Sequence, residues 1–118
     1  MTHVLVIEDD ADVREMMETY LRFLGYSTSG ACNGVEGLAR LAEGKANVVV
    51  LDLMMPVMSG WQFREAQLAD SALAGIPVVC VSAVCDRTGV REQLRAPCLG
   101  KPVNLDELSR VLGQVCGA

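Results

Sequence analysis

The sequence predicts an α/β fold: a doubly wound parallel sheet of five strands with five helices packed on its faces. Three observations carry that expectation. Short apolar runs without polar alternation recur at residues 4–7, 48–51 and 76–81, as strands covered on both faces require. Between them lie stretches whose apolar residues recur at three- and four-residue spacing, the signature of amphipathic helices. Finally, each of these runs exits directly into polar residues, Glu8-Asp9-Asp10, Asp52 and Ser82, and the carboxyl ends of parallel strands are where ligands gather in such sheets.

Taken in order, Val4 to Ile7 form the first buried strand. A helix then begins near Asp10, with Val13, Met16, Met17, Tyr20, Leu21 and Leu24 as the stripe that packs on the sheet and Gly25 closing it. Residues 26–31 (Tyr-Ser-Thr-Ser-Gly-Ala) are a weaker strand whose polar residues suit a sheet edge. Asn33 opens the second helix with Glu36 in capping-box spacing, Leu38, Leu41 and Ala42 face inward, and Gly44 ends it. The strand Val48-Val49-Val50-Leu51 runs into Asp52, and Pro56 prevents the strand from extending further. From that strand alone, Asp52 is as readily a loop cap as a functional acid.

Ser59-Gly60-Trp61-Gln62 has the capping-box pattern for a third helix reaching about Asp70, with Trp61 and Phe63 packing in its first turn. In the strand at 76–81, Pro77 is tolerable only near the beginning. Residues 84–96 have room for one short helix, because Gly89 and sparse apolar positions interrupt the pattern. Pro97-Cys98-Leu99-Gly100 reads as a brief last strand ending at Lys101-Pro102. Asn104 caps a final helix with Asp106 and Glu107 in its first turn and Leu105, Leu108, Val111, Leu112 and Val115 as its stripe.

A length of 118 residues suits one domain, so residues 1–118 are expected to form a single unit with no output domain. With 51% apolar and 21% charged residues the chain is globular rather than disordered. A net charge of −5 opposes the phosphate backbone, which argues against direct nucleic-acid binding. No apolar run approaches the roughly 20 residues needed to span a bilayer, and Met1-Thr2-His3 is not the opening of a signal peptide. The expectation is a cytoplasmic protein that does not engage membranes. The five cysteines, Cys32, Cys80, Cys85, Cys98 and Cys116, lack the two-residue spacing of a zinc or redox pair. They are read as free thiols that pack as small hydrophobes.

Right-handed crossovers between parallel strands put every strand's carboxyl end on one rim. Glu8, Asp9, Asp52, Ser82 and Lys101 therefore meet there. Crowded carboxylates raise one another's pKa and call for a cation. Mg²⁺ suits them, since it favours oxygen ligands and is held by one or two carboxylates with phosphate oxygens. Asp52 can then act as a carboxylate nucleophile toward phosphorus while Lys101 and the Ser82 hydroxyl stabilise the phosphoryl oxygens.

These residues carry a resemblance. Glu8-Asp9, Asp52 within Asp-Leu-Met-Met-Pro-Val-Met-Ser-Gly, Ser82-Ala83 and Lys101-Pro102, in this order, resemble the receiver domain of the two-component response-regulator family along the whole chain. The resemblance implies a flavodoxin-like fold with strand order 2-1-3-4-5. It also implies phosphorelay signal transduction: Asp52 takes a phosphoryl group from a sensor histidine kinase or phosphotransfer protein. A conformational change then signals to a downstream protein target or an output domain on another chain. On this reading Asp9 ligates Mg²⁺ directly with Asp52 and the Met54 backbone carbonyl, and Glu8 acts largely through water. Lys101 pairs with the phosphoryl group, Ser82 contacts it, and a cis peptide bond precedes Pro102. Such a domain is no enzyme beyond assisting its own phosphorylation and dephosphorylation.

The chain departs from that pattern in three places. Ser82 and Lys101 are 101 − 82 = 19 positions apart, fewer than the family leads one to expect, so the fourth helix or its loops are shortened. Cys98 stands three residues before the lysine, where receivers often carry an aromatic switch residue, so a smaller or differently conveyed change is expected on activation. Met54 and Val84 are apolar where other receivers place groups that guide water, which predicts slow loss of phosphate. Alternative readings are a receiver-like interaction domain that is not phosphorylated, or a small Mg²⁺-dependent phosphatase. The latter lacks a partner acid at Met54. A flavin-binding module is disfavoured by the acidic loop after the first strand.

Overall fold

The computed structural model describes residues 2–116. Along the chain β1 (His3–Ile7), α1 (Ala11–Phe23), β2 (Ser27–Ala31), α2 (Gly34–Ala42) and β3 (Val48–Asp52) are followed by α3 (Gly60–Ala69), β4 (Val78–Ser82), α4 (Val90–Leu94), β5 (Cys98–Gly100) and α5 (Leu105–Val115). All neighbouring strands pair in parallel, in the order β2-β1-β3-β4-β5. Strand order reverses between β1 and β3, so the exits of these two strands flank the switch point of the sheet.

Side chains alternate across a strand, and the two faces of the sheet accordingly bury two separate cores. Leu5, Ile7, Val49, Leu51 and Cys80 face one side, where Leu41, Phe63, Val90 and Leu94 cover them. Val4, Val6, Val48, Val50, Val79 and Val81 face the other, under Met17 and Leu21 of α1 and Leu108, Val111 and Leu112 of α5. The continuous valine runs are explained by this arrangement, since both faces of β1, β3 and β4 are dry.

The helix ends form much as their sequences indicate. Asp10 accepts from the amides of Asp12 and Val13, Asn33 from that of Glu36, and Asn104 from that of Glu107. Ser59 and Gln62 make a reciprocal capping box. Gly25 closes α1 with φ of 101°, a left-handed value that glycine adopts without a Cβ penalty.

Three expectations are corrected. Ala42, at the C-terminal end of α2, does not face inward but is exposed. Met16 and Leu24 do not pack on the sheet: both are exposed, because the stripe of α1 that meets β1 is narrowed to Met17 and Leu21 with Val13 and Tyr20 beside them. The cysteines are not all free thiols, since Cys85 and Cys98 form a disulfide with their Cα atoms 5.3 Å apart. The turn after β4 folds back over β5, and this brings together two residues 13 positions apart. Short-range spacing holds no trace of such a pairing. Cys32 and Cys116 are exposed and free, and Cys80 is buried and free.

The loop between β3 and α3 carries a local strain. Val57 has φ of 68°, in the left-handed region, although it is β-branched and its side chain is exposed. Val57→Asn should relieve this and stabilise the protein by about 1 kcal/mol, read as a higher denaturation midpoint with an unchanged denaturant slope. An unaltered or lower midpoint would show that the loop carries no such strain.

Candidate functional site

Three strand exits build the site. β1 ends at Ile7 and delivers Glu8 and Asp9, β3 ends in Asp52, and β5 leads through Gly100 to Lys101. One carboxylate oxygen from each of Glu8, Asp9 and Asp52 lies within 4.8 Å of the others. Glu8 and Asp52 are buried while Asp9 is exposed, so the cluster opens to solvent on the Asp9 side. The Lys101 ammonium closes it from β5, with Nζ 2.7 Å from Glu8 Oε1 and 3.3 Å from Asp52 Oδ1.

The surrounding backbone fixes these groups. The Asp10 amide donates to Glu8 Oε2 at 3.2 Å, and the Arg14 guanidinium donates to the Glu8 carbonyl oxygen at 2.6 Å. The Met54 amide donates to Asp52 Oδ1 at 3.4 Å. Ser82 is fully buried at the end of β4, its hydroxyl accepting from the Val84 amide at 3.4 Å, and its carbonyl accepts the Lys101 amide at 3.3 Å. That last bond ties the segment carrying the hydroxyl to the segment carrying the amine. The Lys101–Pro102 peptide is cis, as expected.

Gly60 holds the third helix close to this exit. A Cβ at that position would meet the Asp52 carbonyl oxygen and the Leu53 Cα, backbone atoms that cannot yield. Its amide donates to the Leu53 carbonyl at 3.0 Å.

Burial raises the Glu8 carboxyl to about 7; Lys101 pulls it back down, and the charge of Asp52 adds to the rise. Asp52 is likewise raised, first by burial, with Glu8, Lys101 and the Met54 amide opposing. For Lys101, burial favours the neutral amine, but the hydrogen bonds and charges of Glu8 and Asp52 outweigh it and raise its pKa. The site is a cluster of crowded acids with one compensating cation. Its donor set is of hard oxygen atoms, which suits a divalent ion such as Mg²⁺ better than a soft metal.

Sequence reasoning placed Glu8, Asp9, Asp52, Ser82 and Lys101 on one rim, and the structure brings the three acids and the lysine into contact. Ser82 lies at the same rim, on the strand beside Asp52. Met54 is exposed just beyond, held to Asp52 through its amide. Cys98 is not free at the site; it is buried and joined to Cys85. Arg14, which supports Glu8, carries no signal in the sequence beyond helix register.

The chain matches the family model described as response regulator receiver domain over residues 4–112. Among curated proteins it is 36% identical over 87 residues to the "DNA-binding response regulator MtrA" of Mycobacterium leprae (strain TN), covering 74% of this chain and 37% of that protein. It is 37% identical over 84 residues to the "Probable transcriptional regulator ycf27" of Porphyridium aerugineum, covering 71% and 35%. The chain thus spans about a third of the length of the curated relatives it matches. Among solved structures, the chemotaxis protein CheY4 of Vibrio cholerae superposes with a TM-score of 0.89 at 28% identity, covering 98% of both chains. The receiver domain of the sensor histidine kinase PA1611 of Pseudomonas aeruginosa PAO1, with magnesium coordinated in its active-site cleft, gives 0.88 at 22%, covering 99% of this chain and 98% of that one.

The raised Glu8 carboxyl makes stability depend on pH. Its ordinary value is 4.5 and its folded value about 7, so the folded state holds a proton that the unfolded chain lacks in between. The associated stabilisation is complete below the ordinary value and is lost as pH rises through the folded one. With divalent ions chelated, the thermal midpoint should fall as pH is raised from about 5 to about 8, and Glu8→Gln should flatten that dependence. Asp52, raised as well, acts in the same sense. A midpoint that rises over this range, or an unchanged profile in Glu8→Gln, would contradict the reading.

Proposed function

The chain belongs to the response regulator receiver domain family, and from that premise we propose that it is a phosphoacceptor whose Asp52 receives a phosphoryl group from a histidine kinase or phosphotransfer protein. The observation that supports this most is the grouping of Glu8, Asp9 and Asp52 within 4.8 Å with the Lys101 ammonium against them. A carboxylate nucleophile, acids for a cation and a fixed positive charge are what phosphoryl transfer to an aspartate needs.

Glu8, Asp9 and Asp52 with the Met54 carbonyl would hold Mg²⁺, Glu8 largely through water. Bound there, Mg²⁺ supplies neutralisation of charge on the phosphoryl oxygens. An Asp52 oxygen attacks the phosphorus, the new P–O bond forms as the P–N bond to the donor histidine breaks, and the imidazole leaves as a neutral ring once protonated. Lys101, now pairing with Glu8 and Asp52, turns to the transferred group and offsets its charge. The Ser82 hydroxyl donates to a phosphoryl oxygen, and its movement begins the signal. The chemistry is positioning and charge compensation, which makes the domain a regulator that assists its own phosphorylation.

The output on this reading is a protein contact, made to a target on another chain or to an attached output domain, rather than contact of this domain with nucleic acid. Cytoplasmic location follows from the kinase partner. No helix among the described residues is long and apolar enough to cross a membrane.

Intact mass after incubation with Mg²⁺ and acetyl phosphate should show one added phosphoryl group on the native chain and none on Asp52→Asn. Equal gains in both, or none in either, would leave an unphosphorylated interaction domain as the better reading. Met54, largely exposed, and Val84 offer no polar side chain to guide an attacking water. The phosphorylated form should therefore persist far beyond seconds, and Met54→Asn should shorten its lifetime. Decay of the native form within seconds would overturn this.

A further inference from the structure

We propose that the Cys85–Cys98 cystine is a redox gate beside the phosphoacceptor site, holding the segment after Ser82 against β5 when oxidised and releasing it when reduced. The gate rests on the phosphoacceptor function and adds to it a second input.

The half-cystines sit on the segment that leaves the site after Ser82 and on the strand that leads into it at Lys101. Cys85 follows Ser82 by three positions and Cys98 precedes Lys101 by three, and the two segments are already joined by the Lys101 amide on the Ser82 carbonyl. A shift of the Ser82 hydroxyl toward a phosphoryl group must pass along residues 83–89 to reach α4. A covalent bond from the middle of that segment to β5 blocks the displacement.

The fourth helix is held by its buried Val90 and Leu94 and by ties from outside it. It has five residues, no side-chain cap at Gly89, and a left-handed residue at each end, and so short a helix has little intrinsic stability. At its C-terminal end the Arg64 guanidinium donates to the carbonyls of Leu94 and Arg95 at 2.8 and 2.9 Å. Ahead of it the cystine fixes the loop. Within it the Arg91 guanidinium donates to the Cys98 carbonyl at 3.0 Å, and Val90 and Leu94 are buried in the core, so breaking the cystine frees the loop of residues 83–89 ahead of the helix while the helix itself stays docked.

The fold does not require this bond. Disulfides are the staples of domains that lack a sufficient core, whereas this chain buries two. In the reducing cytoplasm proposed above, a cystine is characteristically transient and redox-sensing. The pair is also chemically isolated. Cys80 lies beside Cys98 in the sheet, but burial pushes its thiol up to about 12, and a protonated thiol does not attack a disulfide.

Reduction proceeds by exchange with a dithiol. One thiolate of the dithiol attacks a sulfur of the pair, the S–S bond breaks, and the displaced thiolate takes up a proton. The second thiol then closes on the mixed bond, so that the dithiol leaves as a disulfide and Cys85 and Cys98 are both thiols. Two electrons pass from dithiol to cystine. Re-oxidation by a disulfide such as oxidised glutathione reverses the balance. Because both sulfurs are buried, residues 83–89 must open for either reaction.

The test uses the whole chain in two states, treated with oxidised glutathione or with dithiothreitol. Alkylation after denaturation should label all five cysteines in the second and leave Cys85 and Cys98 unlabelled in the first, with no glutathione carried by either of them. Each state is then given Mg²⁺ and acetyl phosphate, and phosphoryl mass and hydrogen exchange over residues 83–95 are read on the same samples. Both states should gain one phosphoryl group, with exchange accelerating on phosphorylation in the reduced state and that response lost in the oxidised one. Equal responses in both states, or label or glutathione on Cys85 or Cys98 after oxidation, overturn the gate while leaving the phosphoacceptor reading intact. No phosphoryl gain in either state overturns that reading and the gate with it. Cys85→Ala and Cys98→Ala should each respond like the reduced chain even after oxidation, and a damped response in these variants counts against the proposal. Should either fail to fold, the dithiothreitol comparison decides alone.

Discussion

Three carboxylates held together at the mouth of a dry sheet are the constraint around which the molecule is arranged. Glu8 and Asp52 are buried beside one another with Asp9 at the opening, an arrangement that opposes folding unless positive charge compensates it. The compensation comes from far along the chain, since Lys101 is 93 positions from Glu8 and yet its ammonium lies 2.7 Å away. Every intervening element has to be in place for that contact to form. β3 and β4 lie between the strands that deliver the two groups, so the width of the sheet sets the distance the lysine side chain must reach.

A site built this way is poised because its own charges are not at rest. Glu8 sits near 7, between its two protonation states, and Lys101 divides its contacts between two acids. On the proposed function, an incoming cation would relieve the acids, and an incoming phosphoryl group would draw the lysine off them. Both ligands thus act on the same balance, and a domain with a neutral or fully paired pocket would lack that sensitivity. Protons compete for it too, which links the folding equilibrium to pH through the groups that would bind the ion.

Most of the architecture was legible because its causes are local. Unbroken valine runs reported strands covered on both faces, and Asn33, Ser59 and Asn104 marked helix starts that the structure bears out with side-chain caps. The rim followed from topology alone, since parallel strands with right-handed crossovers leave their ends no other place to go. The features that escaped the sequence depend on distant geometry. Met16 and Leu24 fit the period of α1 yet stay exposed, because periodicity names a stripe without fixing how much of it the sheet can cover. Cys85 and Cys98 show no motif spacing, and their pairing exists only once the loop after β4 lies on β5. Arg64 and Gln67 resemble ordinary surface residues of a helix. In the fold they are buried, Arg64 on the carbonyls of Leu94 and Arg95 and Gln67 on those of Leu73 and Ile76.

The cystine bears on how such a domain can signal with its fourth helix reduced to one turn and a fraction. An aromatic side chain at position 98 could report a hydroxyl movement by rotating, at the cost of a barrier set by packing alone. A cystine has no comparable rotation; it holds or it is broken. On the proposed gate, a covalent bond in place of a rotating ring would make the response conditional on a second chemical input. The shortened α4 fits that exchange, because a helix of five residues held by Arg64, by Arg91 on the Cys98 carbonyl and by its buried Val90 and Leu94 has few ways to move unless the loop ahead of it is released. Retained acids with an altered relay are what one would see if the phosphoryl chemistry were kept and the path leading away from it were remade.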